Sequence, residues 1–492
     1  MKKGRKRIVS LLLTVLLITL LILPGCGENQ NGETSKNAVS SDEKITLTLV
    51  TEASNARSWR LDTQLDNVIK YFRYRLGHAN VKIEVIRLPS LPGEREIVLQ
   101  QMKTEIIAGG GPDMFLIPSQ DLFVNYTDEQ LFSDVSQAMR NGLFADISEY
   151  YDADDELGKD GLITAVMDAG VVDGGRYVLP LRYNIPIVYV NKTALEAAGL
   201  NEDLFLSGAD ELMESIIQIG DSDLAGDARL LSVMRTSVLS LFPEVIDYDN
   251  QEIALSKEEM TDFMRLYQTY ESVRAGKNGY TLLSDIGSYI QTGDSFVISD
   301  HMVTVDNASL AIPNAAVAKH EGVEIDMYPI RATDGSVNAE ITYYAAIGAG
   351  CESPELAYEF IRLFLLEDSQ WESNAKNVGW DLAAYSWPVR AQGAPELLYR
   401  NLLEIEKGID LEDQAKERRE AMGKIQLSDA DIPFMQYDIT KAHFPLDSLE
   451  NELGLMIVRS LADTKTGNAL DADIDALADE WLRKLEFHLY EG

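Results

Sequence analysis

Three consecutive glycines stand in Ala108-Gly109-Gly110-Gly111-Pro112-Asp113, and a run of that kind can offer backbone N–H groups to a phosphate. The order of elements around it speaks against that chemistry. A phosphate loop runs strand, glycines, helix and closes on Gly-Lys-Ser/Thr, whereas here a helical pattern comes first and the apolar Met114-Phe115-Leu116-Ile117 follows. The glycines are expected to stop a helix and turn the chain, with Asp113 capping that turn.

Clustered acids offer a second chemistry. Asp152-x-Asp154-Asp155-Glu156 and Asp247-x-Asp249-Asn250 present oxygen ligands of the kind calcium takes, but Leu157 and Glu252 stand where the twelve-residue calcium loop requires glycine. Both are read as solvated turns, and no metal or other cofactor is expected. With 80 Asp and Glu in the chain, a pair of carboxylates set for glycoside hydrolysis can always be drawn. The nucleophile elbow Gly-x-Ser-x-Gly and the zinc signature His-Glu-x-x-His are both missing, and His78, His301, His320, His443 and His488 are scattered. An enzyme is not expected, although a glycoside hydrolase stays open as the rival reading.

One cysteine has an address. Lys2, Lys3, Arg5, Lys6 and Arg7 precede an apolar run from Ile8 to Leu23, which ends in Leu23-Pro24-Gly25-Cys26. The run is short for a membrane span and has the layout of a signal peptide. Leu23 to Cys26 resembles the lipobox of bacterial lipoproteins, with Pro24 an unusual second residue. That resemblance implies cleavage of residues 1–25 and a diacylglycerol on Cys26. Gly27 to Lys44 is polar and too poor in apolar residues to fold, so it reads as a tether with a reach of about 20–25 Å.

The rest of the 492-residue chain is long enough for two or three domain-sized units. No second hydrophobic run is long enough to span a membrane, and with Cys26 acylated only Cys351 remains, so no internal disulfide is expected. Net charge is −37, and becomes −42 without the five basic residues of the leader, which argues against nucleic acid as a partner.

Periodicity supplies the positioning elements. Thr46 to Val50 alternates as a strand, and Leu65, Val68, Ile69, Phe72 and Leu76 follow at helical spacing up to Gly77. Val81, Ile83 and Val85 form a second strand, Glu94 to Ala108 a second helix, and Met114 to Ile117 a buried strand. This β-α-β-α-β order implies a parallel sheet, with ligands bound beyond the carboxyl ends of its strands. Thr51 to Trp59 and Pro118 to Asp121 are therefore the candidate cleft loops. Thr193 with Glu196, and Ser256 with Glu259, have capping-box spacing, and Ser353-Pro354 opens a further helix.

Several ordered segments are similar to the extracellular solute-binding proteins of carbohydrate-type ABC importers, family 1. They are the Ala-Gly-Gly-Gly-Pro-Asp turn, Asp173-Gly174-Gly175-Arg176-Tyr177-Val178-Leu179-Pro180, Val188-Tyr189-Val190-Asn191-Lys192, Thr342 to Leu366, and Trp387-Pro388-Val389-Arg390. The resemblance implies an α/β, two-lobed periplasmic-binding-protein-like fold of type II, with discontinuous lobes joined by a hinge. Lobe 1 would be residues 45–180 plus 336–370, and lobe 2 residues 181–335 plus 371–492, with crossings near Pro180, Ser336 and Gln370. It further implies a monomer, lipid-anchored on the outer face of the cell membrane, that captures a small polar solute and passes it to the permease subunits. An oligosaccharide is the expected solute, and a ligand-sensing lipoprotein is the alternative job for the same fold.

A sugar needs flat apolar faces for its C–H surface and planar polar groups for its hydroxyls. In segments expected to face the cleft, Trp59, Tyr183, Tyr344 and Trp380 supply the first, and Asn55, Gln120, Asn184 and Asp300 the second.

Overall fold

In a computed structural model, the described residues are 44–52, 58–89, 91–118, 130–132, 134–192, 196, 208–221, 229–233, 245–248, 250–278, 301–307, 325–329, 331–366, 387–391, 441–444, 446, 453, 457, 460–461 and 472–491. They belong to one compact unit, Lys44–Gly492.

The first third follows the alternating pattern of the sequence: β1 (Ile45–Glu52), α1 (Ser58–Tyr74), β2 (Val81–Leu88), α2 (Pro92–Ile107) and β3 (Met114–Pro118). Leu65, Val68 and Phe72 point one stripe of α1 into the core, while Leu76 lies beyond the helix end, where Gly77 turns at φ +91°. Next come the short helices α3 (Val135–Arg140), α4 (Ser148–Ala153) and α5 (Thr164–Asp168), then the hairpin β4 (Val171–Val172) and β5 (Gly175–Arg176).

A long passage then leads from β6 (Val178–Asn184) straight into β7 (Pro186–Asn191), followed by α6 (Ala209–Asp221), β8 (Arg229–Val233), β9 (Ile246–Asp247), β10 (Glu252–Ile253) and α7 (Lys257–Asn278). Ser256 and Glu259 close the expected capping box on α7, the Ser256 backbone N–H donating to the Glu259 carboxylate at 2.9 Å and the Glu259 N–H donating to Ser256 Oγ at 3.2 Å. The remainder contains β11 (His301–Asn307), β12 (Ile325–Pro329), β13 (Val337–Asn338), β14 (Glu340–Ile347), α8 (Pro354–Ile361), β15 (Trp387–Pro388), β16 (Ala442–His443) and α9 (Ile474–Glu491).

Two sheets organise these elements. The first has the order β15-β6-β14-β3-β1-β2, with β1 parallel to both β2 and β3, and β14 antiparallel to β3 and β6. The second has the order β12-β7-β11-β8. Each sheet has its own core. The first gathers Leu49, Phe115, Phe144, Ile347, Phe360 and Trp387, and the second Val190, Met260, Met264, Tyr267, Trp481 and Leu485.

The cores locate the crossings. The chain passes from the first core to the second at Ile185, returns between Pro329 and Val337, and passes again between Leu446 and Leu453. Two of these differ from expectation. β6 stays in the first sheet through Asn184, so the first crossing is later than Pro180. Residues 364–366 and 387–389 both pack in the first core, which moves the last described crossing from near Gln370 to 446–453; Gln370 itself lies outside the described residues. Assigning 387–391 and 442–446 to lobe 2 failed because their partners are remote: Trp387 pairs with Tyr183, and Ala442 with Val337. The last helix, α9, buries Trp481 and Leu485 against the second core.

Candidate functional site

The glycine run is a helix stop. The chain leaves α2 at Ile107 and turns through Gly109 and Gly111, at φ +80° and +95°, into β3. A Cβ on Gly111 would lie 2.9 Å from the Ile106 side chain, and one on Gly350 would lie 2.6 Å from the Gly109 carbonyl, so small residues are required on both sides of this turn. Asp113 is committed within it, its carboxylate accepting from both the backbone N–H and the hydroxyl of Thr48 at 2.7 Å.

The acidic clusters are also satisfied by protein donors. Asp154 accepts from the Leu157 N–H at 3.0 Å, from the Tyr358 hydroxyl at 3.1 Å and from Arg362 at 3.2 Å, while Glu156 pairs with Arg362 at 3.0 Å. Burial raises the Tyr358 phenol well above its ordinary value, and the neighbouring Asp154 adds to the rise. Asp247 accepts from the backbone and side-chain amides of Asn250 at 3.0 and 2.7 Å, which closes the turn between β9 and β10. No group of three potential metal ligands occurs among the described residues.

The cleft follows from strand direction. β1 and β3 run parallel and end at Glu52 and Pro118. β6 runs antiparallel to β14, which is itself antiparallel to β3, so β6 also finishes on this edge, with Asn184 opposite Glu340. One residue, Ile185, separates that edge from Pro186, the start of β7. In the second sheet Pro186 pairs with Asn307 and Ile187 with Pro329, while Val233 pairs with Val305. The ends of β8, β11 and β12 thus lie where the crossing enters. The carboxyl-end edges of both sheets adjoin the same short crossing, the position at which α/β sheets take ligands.

Of the expected site residues, two are described next to this edge. Trp59 is in the first turn of α1, immediately after β1, and Asn184 is the last residue of β6. Asn55 and Gln120 fall in the segments leaving β1 and β3 and lie outside the described residues, as do Asp300, Trp380 and Cys26.

Tyr183 and Tyr344 are corrected to the core. They are 2% and 1% exposed, and Tyr183 packs edge-on to Phe444 with ring centroids 5.7 Å apart. Burial raises the Tyr183 phenol far above its ordinary range. Both occupy strands that the first sheet covers on each face, and a single aromatic in a strand carries no sequence signal for which face it takes. The sequence reading also missed Arg182, 1% exposed beside this edge, and the brace on the return crossing. There β13 and β16 pair in parallel, and the Ala339 N–H donates to the His443 carbonyl at 2.7 Å.

Residues 66–232, which carry β2 through β8 and the first crossing, match the model of the family described as bacterial extracellular solute-binding protein. Over that span the chain is similar to this family. The fold is that of the two-lobed periplasmic-binding proteins. The galacto-N-biose/lacto-N-biose I-binding protein of an ABC transporter from Bifidobacterium longum, solved with lacto-N-biose, is 12% identical; the match covers 91% of this chain and 98% of that one, with a TM-score of 0.53. A candidate oligosaccharide periplasmic-binding protein from Synechococcus sp. MITs9220 is 13% identical, with 90% and 98% covered and a TM-score of 0.51. No curated protein matches the sequence. Among the described residues no helix is long and apolar enough to cross a membrane.

Proposed function

We propose that the protein is a lipid-anchored, extracellular solute-binding protein of an ABC importer, a monomer that captures a small polar solute, an oligosaccharide by preference, between its two lobes and delivers it to membrane permease subunits. The observation that carries this reading is the pair of carboxyl-end strand edges meeting at one short crossing, in a chain whose residues 66–232 match the solute-binding family. Sugar as the solute is supported by the Bifidobacterium longum structure of similar fold, which holds lacto-N-biose. The anchor is supported by the basic, apolar and Leu-Pro-Gly-Cys26 order of the first 26 residues.

Binding would need no covalent step. Trp59, at the start of α1, is proposed as a flat surface for the sugar ring, with Asn55, Gln120 and Asn184 as hydrogen-bonding groups along the same edge and Trp380 as a further aromatic. Closure of the lobes would exclude water around these groups and present a closed form to the permease.

A thermal-shift screen of residues 44–492 against mono- and oligosaccharides, polyols, amino acids and peptides tests the reading. A solute at 100 times its dissociation constant adds about 2.7 kcal/mol to stability. A rise in melting temperature with one sugar class, the sugar being recovered intact, supports capture. Consumption of the sugar would instead establish the hydrolase, and a response confined to amino acids or peptides would overturn sugar as the solute.

A further inference from the structure

The first sheet has a second edge, at the amino ends of β1, β2 and β3, and the chain enters the fold there. Residues 27–44, read as the tether, join β1 at Ile45, whose backbone N–H donates to the Asn80 carbonyl at 3.3 Å, so the turn that follows α1 stands beside the point of entry. The bonds between Asp113 and Thr48 hold the glycine turn that follows α2 against the same half of β1. Both turns expose apolar side chains. Tyr74, 67% exposed, and Leu76, 39%, stand at the end of α1, and Ile107, 76%, is the last residue of α2. Basic groups surround the entry: Lys44 and Arg75 are exposed, and Arg73 lies over the Tyr74 ring at 5.4 Å from its centroid while donating to the Ala79 carbonyl at 3.2 Å.

We propose that this edge rests on the membrane that carries the anchor, with the phospholipid headgroup layer as its partner. A tether entering here would hold this edge, of all the surface, at the highest effective concentration of headgroups. The side chains suit that layer. Tyr74, Leu76 and Ile107 can enter among the headgroups while the guanidinium groups of Arg73 and Arg75 meet phosphates. Two acids of the edge, Glu352 and Glu355, follow β14, and the sheet order places that strand beyond β3, on the far side of β1 from the turn between α1 and β2. Glu105, two residues before Ile107, is the acid that remains between them. The net charge of −42 on the chain without its leader opposes the contact only weakly, since charges more than about 8 Å away are screened at physiological salt. With this edge down, the cleft edge would stand the length of β1 higher, 8 residues or about 25 Å, and face the medium during capture. Delivery to a permease would then require release of the edge, which so few apolar side chains permit.

The inference rests on the proposed lipid anchor, and its test supplies that anchor chemically and needs no solute. Residues 26–492 with Cys351→Ser are coupled through Cys26 to a maleimide lipid in vesicles of equimolar phosphatidylcholine and phosphatidylglycerol. Hydroxyl-radical footprinting then compares side-chain oxidation with that of the uncoupled protein mixed with the same vesicles. Oxidation of Tyr74, Leu76 and Ile107 should fall about threefold on coupling, as contact for two-thirds of the time requires, while Leu91 and Ile97 at the start of α2 and Phe487 and Tyr490 on α9 keep their rates. Arg75→Glu combined with Leu76→Ser, both at exposed positions, should restore the oxidation of Tyr74 with unchanged far-UV circular dichroism. Unchanged rates at Tyr74, Leu76 and Ile107 would overturn the resting edge, as would an equal fall at Leu91 and Ile97. Protection that survives the double substitution would also overturn it, by reducing it to crowding from the tether. Acylation of Cys26 in cells is read separately from the mass of the N-terminal peptide; its absence would remove the anchor and leave the vesicle result standing.

Discussion

Asp113 and Thr48 bond reciprocally: the Asp113 carboxylate accepts from the Thr48 N–H and hydroxyl, and the Asp113 N–H donates to Thr48 Oγ1 at 2.9 Å. The pair ties the glycine turn before β3 to the adjacent β1 and sets where β3 begins. The cleft lies at the other end of these strands. Asp113→Ala should therefore cost about 2–3 kcal/mol, two bonds to a charged acceptor being lost, and leave solute affinity unchanged. Urea unfolding and a binding isotherm on the same variant check both halves.

Arg390 is the second structural tie. It is 7% exposed and donates to three carbonyls, those of Leu365 at 2.7 Å, Gly158 at 3.2 Å and Leu157. An ammonium at the end of a flexible stem cannot span three such acceptors at once. Arg390→Lys is expected to lose about 2 kcal/mol and several degrees of melting temperature, with the Tyr183 core intact by near-UV circular dichroism.

Core and cleft aromatics should separate cleanly. Tyr344→Ala, at a position 1% exposed, is expected to cost about 3–5 kcal/mol by opening a cavity in the first core. Trp59→Ala, in the first turn of α1, is expected to weaken sugar binding with a melting temperature within about 2 °C of the parent. Unchanged affinity for Trp59→Ala would remove that residue from the proposed site.

Burial pushes the Cys351 thiol up to about 11, and the nearby Asp113 carboxylate adds to the rise. The folded state therefore holds this proton more tightly than the unfolded chain does. The stability it contributes is complete below about pH 9 and is lost as pH rises toward 11. At pH 8 a thiol reagent should label the native protein about 100-fold more slowly than the urea-unfolded chain, given two pH units between the two pKa values.

The alternating strand and helix pattern of residues 46–117, the stop at the glycine run and the capping box at Ser256 were legible in the sequence because each is fixed by neighbours within a few residues. Periodicity selects the buried stripe of α1, and positive φ selects glycine at 109 and 111. The ordered motifs from Ala108 to Arg390 likewise carried the resemblance to the extracellular solute-binding proteins, which the family match over residues 66–232 supports. Only the tertiary structure decided which sheet β15 and β16 join, that Tyr183 and Tyr344 face the core, and that Asp134 meets Tyr248, 114 residues away. Pairings at that separation depend on where whole elements pack, since the free energy of closing so long a loop is recovered only from contacts that local sequence does not encode.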